Sequence, residues 1–180
     1  MMHTEAAINP EREPSKELLD DNARKFIVKS LDDTVLNEGH IHYLLVTDWL
    51  EMGGDNEKKL AYKEYPDDNV QILLITKVTT DRGRVSQKRK ISEEQYEVFL
   101  ADSIRHIEKI RHELNFTQGD TQFELKYDKF KDSELCILEV DAKTDQERAA
   151  FNPEDFPGEL IEVTGDMQYY GYRIGDVLGS

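Results

Sequence analysis

Residues 137–170 read ILEVDAKTDQERAAFNPEDFPGELIEVTGDMQYY, and the pattern of this stretch decides how the rest of the chain is read. A strand opens it, starting at Cys136. Cys136, Leu138 and Val140 fall on one face and Ile137, Glu139 and Asp141 on the other, because successive side chains of a strand alternate. Thr144-Asp145-Gln146-Glu147 is a capping box and predicts a short helix through Ala150. Pro153 and Pro157 hold a loop, ELIEVTG supplies a last strand, and YYGYRIGDV a terminal turn or helix.

The same alternation recurs upstream. In TQFELKYDKF, Phe123, Leu125 and Tyr127 share one face and Glu124, Lys126 and Asp128 the other. In RVSQKRKI, Arg84, Ser86, Lys88 and Lys90 oppose Val85, Gln87, Arg89 and Ile91. RKFIVKS places Phe26 and Val28 opposite Lys25 and Ile27, and HIHYLLVTDWLEM is strand-like with some helical character. KKLAYKEY, PDDN and VQILLITKV read as a hairpin. Ser92-Glu93-Glu94-Gln95 is another capping box and predicts a helix from Glu93 to Asp102. SIRHIEKIRHEL is ambiguous, since Ile104, Ile107, Ile110 and Leu114 suit a helix at least as well as a strand. Many short strands with two helices argue for an antiparallel barrel or another α+β fold. One charged strand face means only a solvated side. Several, carrying both signs of charge, also suit a barrel whose apolar face is covered by helices and whose charged face lines a hydrated tunnel.

At 180 residues the chain is long enough for one domain, read as 19–180, with 1–18 as a flexible arm rich in charge and carrying two prolines. A net charge of −15 disfavours duplex nucleic acid and anionic membranes as partners, yet permits a local basic pocket. Lys88-Arg89-Lys90 is a basic run without the aromatic stripe of a nucleic-acid platform. The one cysteine, Cys136, excludes an internal disulfide and is read as a small buried hydrophobe. No apolar run reaches the roughly 18–20 residues of a membrane span, and the acidic start lacks a signal-peptide core, so a cytoplasmic location is expected by default. His40-x-His42 offers two imidazoles from one strand face and, with no third ligand in view, is read as surface or core histidine.

The stretch quoted first resembles the C-terminal half of CYTH domains, the triphosphate tunnel metalloenzymes. The resemblance rests on Glu139-Val140-Asp141, Phe151, Pro153, Phe156, Gly158, Glu162-Val163-Thr164, Asp166 and Tyr169. Upstream, Lys109-Ile110-Arg111 is similar to the family's K-x-R strand and Phe123-Glu124 to its Trp-Glu pair. Ile75-Thr76-Lys77, Arg84 and Arg24-Lys25-Phe26 are similar to further motif ends. The resemblance implies an antiparallel eight-stranded β-barrel tunnel with flanking helices. It implies phosphate binding by Lys25, Lys77, Arg84, Lys88, Lys109 and Arg111. It also implies Mg²⁺ or Mn²⁺ held by Asp21, Glu124, Glu139, Asp141 and Glu162, with Glu139 and Asp141 as the catalytic pair.

Several family acids are replaced. Ala23 stands for one glutamate of the N-terminal pair, Ser86 and Lys88 for the acids after Arg84, and Lys126 for an aspartate, while Gln168 replaces a basic residue. The expected tunnel is therefore more basic than usual and poorer at holding metal. The expected function is binding of a small polyphosphate or nucleotide, with metal-dependent triphosphate hydrolysis as a possible activity. The alternative is a non-catalytic module for a phosphorylated metabolite or an anionic partner.

Overall fold

The structure, a computed structural model, describes residues 23–36, 40–53, 56–81 and 83–179; the expected arm at 1–18 lies outside the described residues. Nine strands follow one another with little helix between them: β1 Arg24–Leu31, β2 Ile41–Glu51, β3 Asn56–Glu64, β4 Val70–Thr80, β5 Gly83–Lys90, β6 Arg105–Gln118, β7 Thr121–Phe130, β8 Cys136–Asp141 and β9 Gly158–Glu162. The helices are α1 Glu93–Leu100, α2 Asp145–Ala149 and α3 Ile174–Leu178. All ladders are antiparallel, in the order β5-β4-β3-β2-β6-β7-β8-β1-β9. No ladder joins β5 to β9 among the described residues, so the sheet curls without closing. Eight strands, β1 to β8, turn side chains into one cavity, and β9 extends the sheet beyond β1. No helix is long and apolar enough to cross a membrane.

Local chemistry explains the boundaries. The β3–β4 hairpin turns through Pro66–Asn69, with Asp68 at φ +65° and the Asp67 carboxylate accepting from the Asn69 backbone N–H. Ser92 caps α1, its hydroxyl accepting from the Gln95 N–H while the Gln95 side chain accepts from the Ser92 N–H. Thr144 caps α2 by accepting from Glu147. Residues 105–118 form a strand. Tertiary pairing decides it: β2 and β7 flank the segment on both sides, and its inner face packs into the curl. The helix-like spacing of Ile104, Ile107 and Ile110 then splits, with Ile107 buried and Ile104 and Ile110 exposed.

The outer apolar face of β1, β7 and β8 carries the main core. Phe26, Phe123, Leu125, Leu138 and Val140 pack under Phe151 and Phe156, which the loop after α2 folds over them. Phe151 meets Phe26 and Phe123 edge-on, with ring centroids 5.6 and 5.2 Å apart. Inside the curl, one end is closed by Trp49, Ile107, Phe130 and Ile137 against Ile174 of α3.

Gly158 shows why a glycine opens β9. A Cβ there would lie 2.5 Å from the Ser30 carbonyl oxygen and 3.3 Å from the Leu31 Cα, both backbone atoms of β1. Gly158→Ala must push β9 off β1. We expect it to cost about 1–3 kcal/mol, read as a lower urea midpoint with an unchanged slope.

Candidate functional site: a cation-lined cavity

The cavity inside the curled sheet measures about 220 Å³. Eight cationic side chains border it: Lys25, Lys59, Lys63, Lys77, Lys88, Lys109, Arg111 and Lys126. The only carboxylates among the described lining residues are Asp128 and Glu139. A chain of net charge −15 has thus gathered a strongly positive interior. Alternation does the gathering. Lys59 and Lys63 sit four apart on β3, Lys109 and Arg111 two apart on β6, and Lys126 and Asp128 two apart on β7, so each pair shares the inner face.

Asp128 is the anchor. Its Oδ2 accepts from Lys109 Nζ at 2.7 Å, its Oδ1 from Arg111 Nε at 2.7 Å, and Arg111 Nη2 reaches Oδ2 at 2.8 Å. Burial alone would raise the Asp128 pKa, but Arg111 and Lys109 outweigh it and hold the carboxyl well below the usual carboxylate range. Glu139 is buried beside Lys25, with Nζ–Oε1 3.3 Å. Burial opposes its ionisation, yet Lys25 and Arg111 keep its pKa below normal. Burial, then the charge of Lys77, lowers the Lys59 pKa to about 7, against the pull of Glu57. Burial, then Arg111, lowers that of Lys109 to about 8. Ser86 contributes a buried hydroxyl that has no hydrogen-bond partner among the described residues.

The C-terminal segment closes the cavity from one side. The backbone N–H of Lys25 donates to Thr164 Oγ1 at 2.9 Å, and Val163 N–H donates to the Lys25 carbonyl at 2.8 Å. Asp166 caps the following turn by accepting from Gln168 N–H. This turn delivers Tyr169 and Tyr170 to the Lys25 side chain. Nζ donates to the Tyr169 carbonyl at 2.9 Å and lies 4.0 Å from the Tyr170 ring centroid. Lys25 is therefore engaged by a carbonyl, a ring and a carboxylate.

Of the residues expected at the site, Lys25, Lys77, Lys88, Lys109, Arg111 and Glu139 line the cavity. Asp21 and the Arg84 side chain lie outside the described residues. Three acids are placed elsewhere. Asp141 is held by Arg148 Nε at 3.0 Å and by its neighbour's N–H from Ala142. Glu162 forms a two-pronged pair with Arg24, at 2.8 and 3.0 Å. Glu124 is exposed, opposite Asp141 across β7 and β8. No three carboxylates converge among the described residues. The acids described here do not by themselves form the oxygen cage a hard divalent cation needs. Lys59, Lys63 and Asp128 were not foreseen as site residues. Asp128 carried a signal, since it shares an alternating face with Glu124 and Lys126. Lys59 and Lys63 were hidden in a stretch read only as half a hairpin.

Replacing Asp128 by Asn leaves Lys109 and Arg111 buried together without their hydrogen-bonded counter-charge. Asp128→Asn is expected to cost about 3–5 kcal/mol. Asp128 has a depressed folded pKa, so its contribution is complete above the unfolded carboxyl value and is lost as pH falls below about 4. In acid titrations the parent should therefore lose its advantage over the variant in that range, whereas a parallel pair of curves would contradict this role.

No family model matches the chain, and no curated protein matches it either. Solved structures do. That of the inorganic triphosphatase NE1496 superposes with a TM-score of 0.60, at 21% identity over 85% of this chain and 92% of that one. A second structure of NE1496 gives a TM-score of 0.58, at 22% identity over 85% of this chain and 95% of the other. The antiparallel tunnel fold expected from the sequence thus holds: this chain shares the fold of NE1496.

Proposed function

We propose that this protein binds a short linear polyphosphate, with inorganic triphosphate or the triphosphate of a nucleotide as the ligand class, inside the cation-lined cavity. The observation that carries the reading is the eight-to-two excess of cationic over anionic side chains around one cavity in an acidic chain. Phosphate oxygens need several donors with full positive charge, and lysine and arginine supply both. Lys63, Lys77, Lys88 and Lys126 come from four strands and surround the space, while Asp128 and Glu139 keep Lys109, Arg111 and Lys25 fixed in orientation. The unpartnered Ser86 hydroxyl adds a neutral donor. The likeness to an inorganic triphosphatase supports the same ligand class.

Hydrolysis is a second reading, favoured by that likeness and by Glu139, the family-motif acid that does line the cavity. Under it, Glu139 would orient a water, and Mg²⁺ or Mn²⁺ bound with the phosphate would supply charge neutralisation. The pairing of Asp141 with Arg148 supports a structural part for Asp141.

Tripolyphosphate at about a hundred times its dissociation constant should stabilise the native state by about 2.7 kcal/mol, seen as a raised Tm. Lys77→Ala should reduce the rise strongly. Ser86→Ala should weaken binding by roughly threefold to tenfold, the worth of one hydrogen bond, with little change in the ligand-free Tm. No rise with any tri- or polyphosphate, with or without divalent metal, would sink the reading. Phosphate release with Mg²⁺ or Mn²⁺, lost in Glu139→Gln, would decide for hydrolysis; binding without release would decide for the non-catalytic module.

The lowered pKa values of Lys59 and Lys109 make binding pH-dependent. A polyanion favours the protonated lysine, so binding draws in protons where Lys59 is partly neutral. Affinity should fall as pH rises through about 7 and again through about 8. Calorimetry in buffers of different ionisation enthalpy should report proton uptake near pH 7, reduced in Lys59→Met. A buffer-independent enthalpy would contradict this.

A further inference from the structure

The outer surface of the sheet carries a second cluster of chemistry-bearing side chains. His42 on β2 and His112 on β6 are direct cross-strand partners, so both rings project from the same face. His40, two residues before His42, reaches that face too. The three rings stand 5.1 to 5.7 Å apart by centroid. One nitrogen from each lies within 4.8 Å of one from each of the others. This is the only group of three metal-ligating side chains so converged among the described residues.

Two further observations bear on its purpose. His112 Nδ1 is buried without a hydrogen-bond partner among the described residues, a condition that costs about 1–3 kcal/mol. A hollow bordered by His40, His42, Tyr65 and Asp67 adjoins the cluster and leaves one side open to solvent.

We propose that His40, His42 and His112 form a binding site for a borderline divalent transition cation, with Zn(II) as the representative, on the face of the sheet opposite the cation-lined cavity. Neutral imidazoles are matched to Zn(II), Co(II) and Ni(II) and poorly matched to Mg²⁺. Metal–nitrogen bonds of about 2.0–2.1 Å in a tetrahedron put ligand nitrogens about 3.4 Å apart. Closing from 4.8 Å takes small side-chain rotations, for which the exposed His42 has room. Three protein ligands leave the fourth position to water, and the open hollow lets water or a further ligand reach it. A bound ion would also tie the entry to β2 to the middle of β6. The site is independent of the cavity, because Tyr43 and Arg111, the residues adjacent to His42 and His112, point the other way.

The experiment uses the full, untagged chain near neutral pH. Zn(II) is titrated by calorimetry and Co(II) by visible absorption. We expect a single ion per chain at roughly micromolar affinity, and Co(II) bands of the intensity that marks a low-coordinate nitrogen site. His42→Asn and His112→Ala should each weaken binding by at least about tenfold. His42→Asn, altered at an exposed side chain, should keep the metal-free Tm and the tripolyphosphate response of the parent. No Zn(II) binding at about 100 micromolar, or unchanged affinity in either variant, overturns the proposal.

Discussion

Lys109 and Arg111 point into the same space because they lie two apart on one strand, and a strand leaves them no other choice. Two such charges at about 4 Å repel by roughly 4 kcal/mol at an effective dielectric near 20. Asp128, opposite Arg111 on β7, turns that repulsion into a three-membered ion cluster. The positive interior depends on it. With one carboxylate satisfied by two cations, β6 and β7 can pair along their whole length while the other lysines remain oriented toward the cavity. The arrangement leaves a net positive field instead of a neutral core, which is the condition for taking up a polyanion.

The C-terminal segment serves the same end by another route. Glu162, Val163, Thr164 and Asp166 bind neighbouring parts of the chain. They clasp Arg24 and Lys25 on β1 and turn the chain so that Tyr169 and Tyr170 reach the Lys25 ammonium. These residues thus fix one wall of the cavity. Arg148 and Asp141 follow the same logic at the foot of α2.

What was legible in the sequence follows from how local the signal is. Both helix caps depend on residues within one turn, and both form where expected. The charged faces of β7 and β8 depend only on alternation, and the cavity lies where those faces turn. Residues 104–114 were not legible, because a strand flanked on both sides owes its form to partners distant in sequence. The cluster at His112 escaped for the same reason: its partners His40 and His42 lie far back along the chain, brought near by the β2–β6 register. Lys59 and Lys63 were overlooked because a lysine on a hairpin strand looks like a solvated one until the sheet curls. Ser86, Lys88 and Lys126, read as standing where the family has acids, all line the cavity.

The unclosed seam of the sheet carries its own safeguard. Among the described residues the curl leaves β5 as an edge, and an edge strand offers unpaired amides and carbonyls to any other edge. β5 ends in Lys88-Arg89-Lys90, which places positive charge on both of its faces. Two copies meeting through these edges would bring like charges into register and, on the inner side, bury Lys88 of each. The same residue that adds positive charge to the cavity thereby makes the rim a poor template for its own kind.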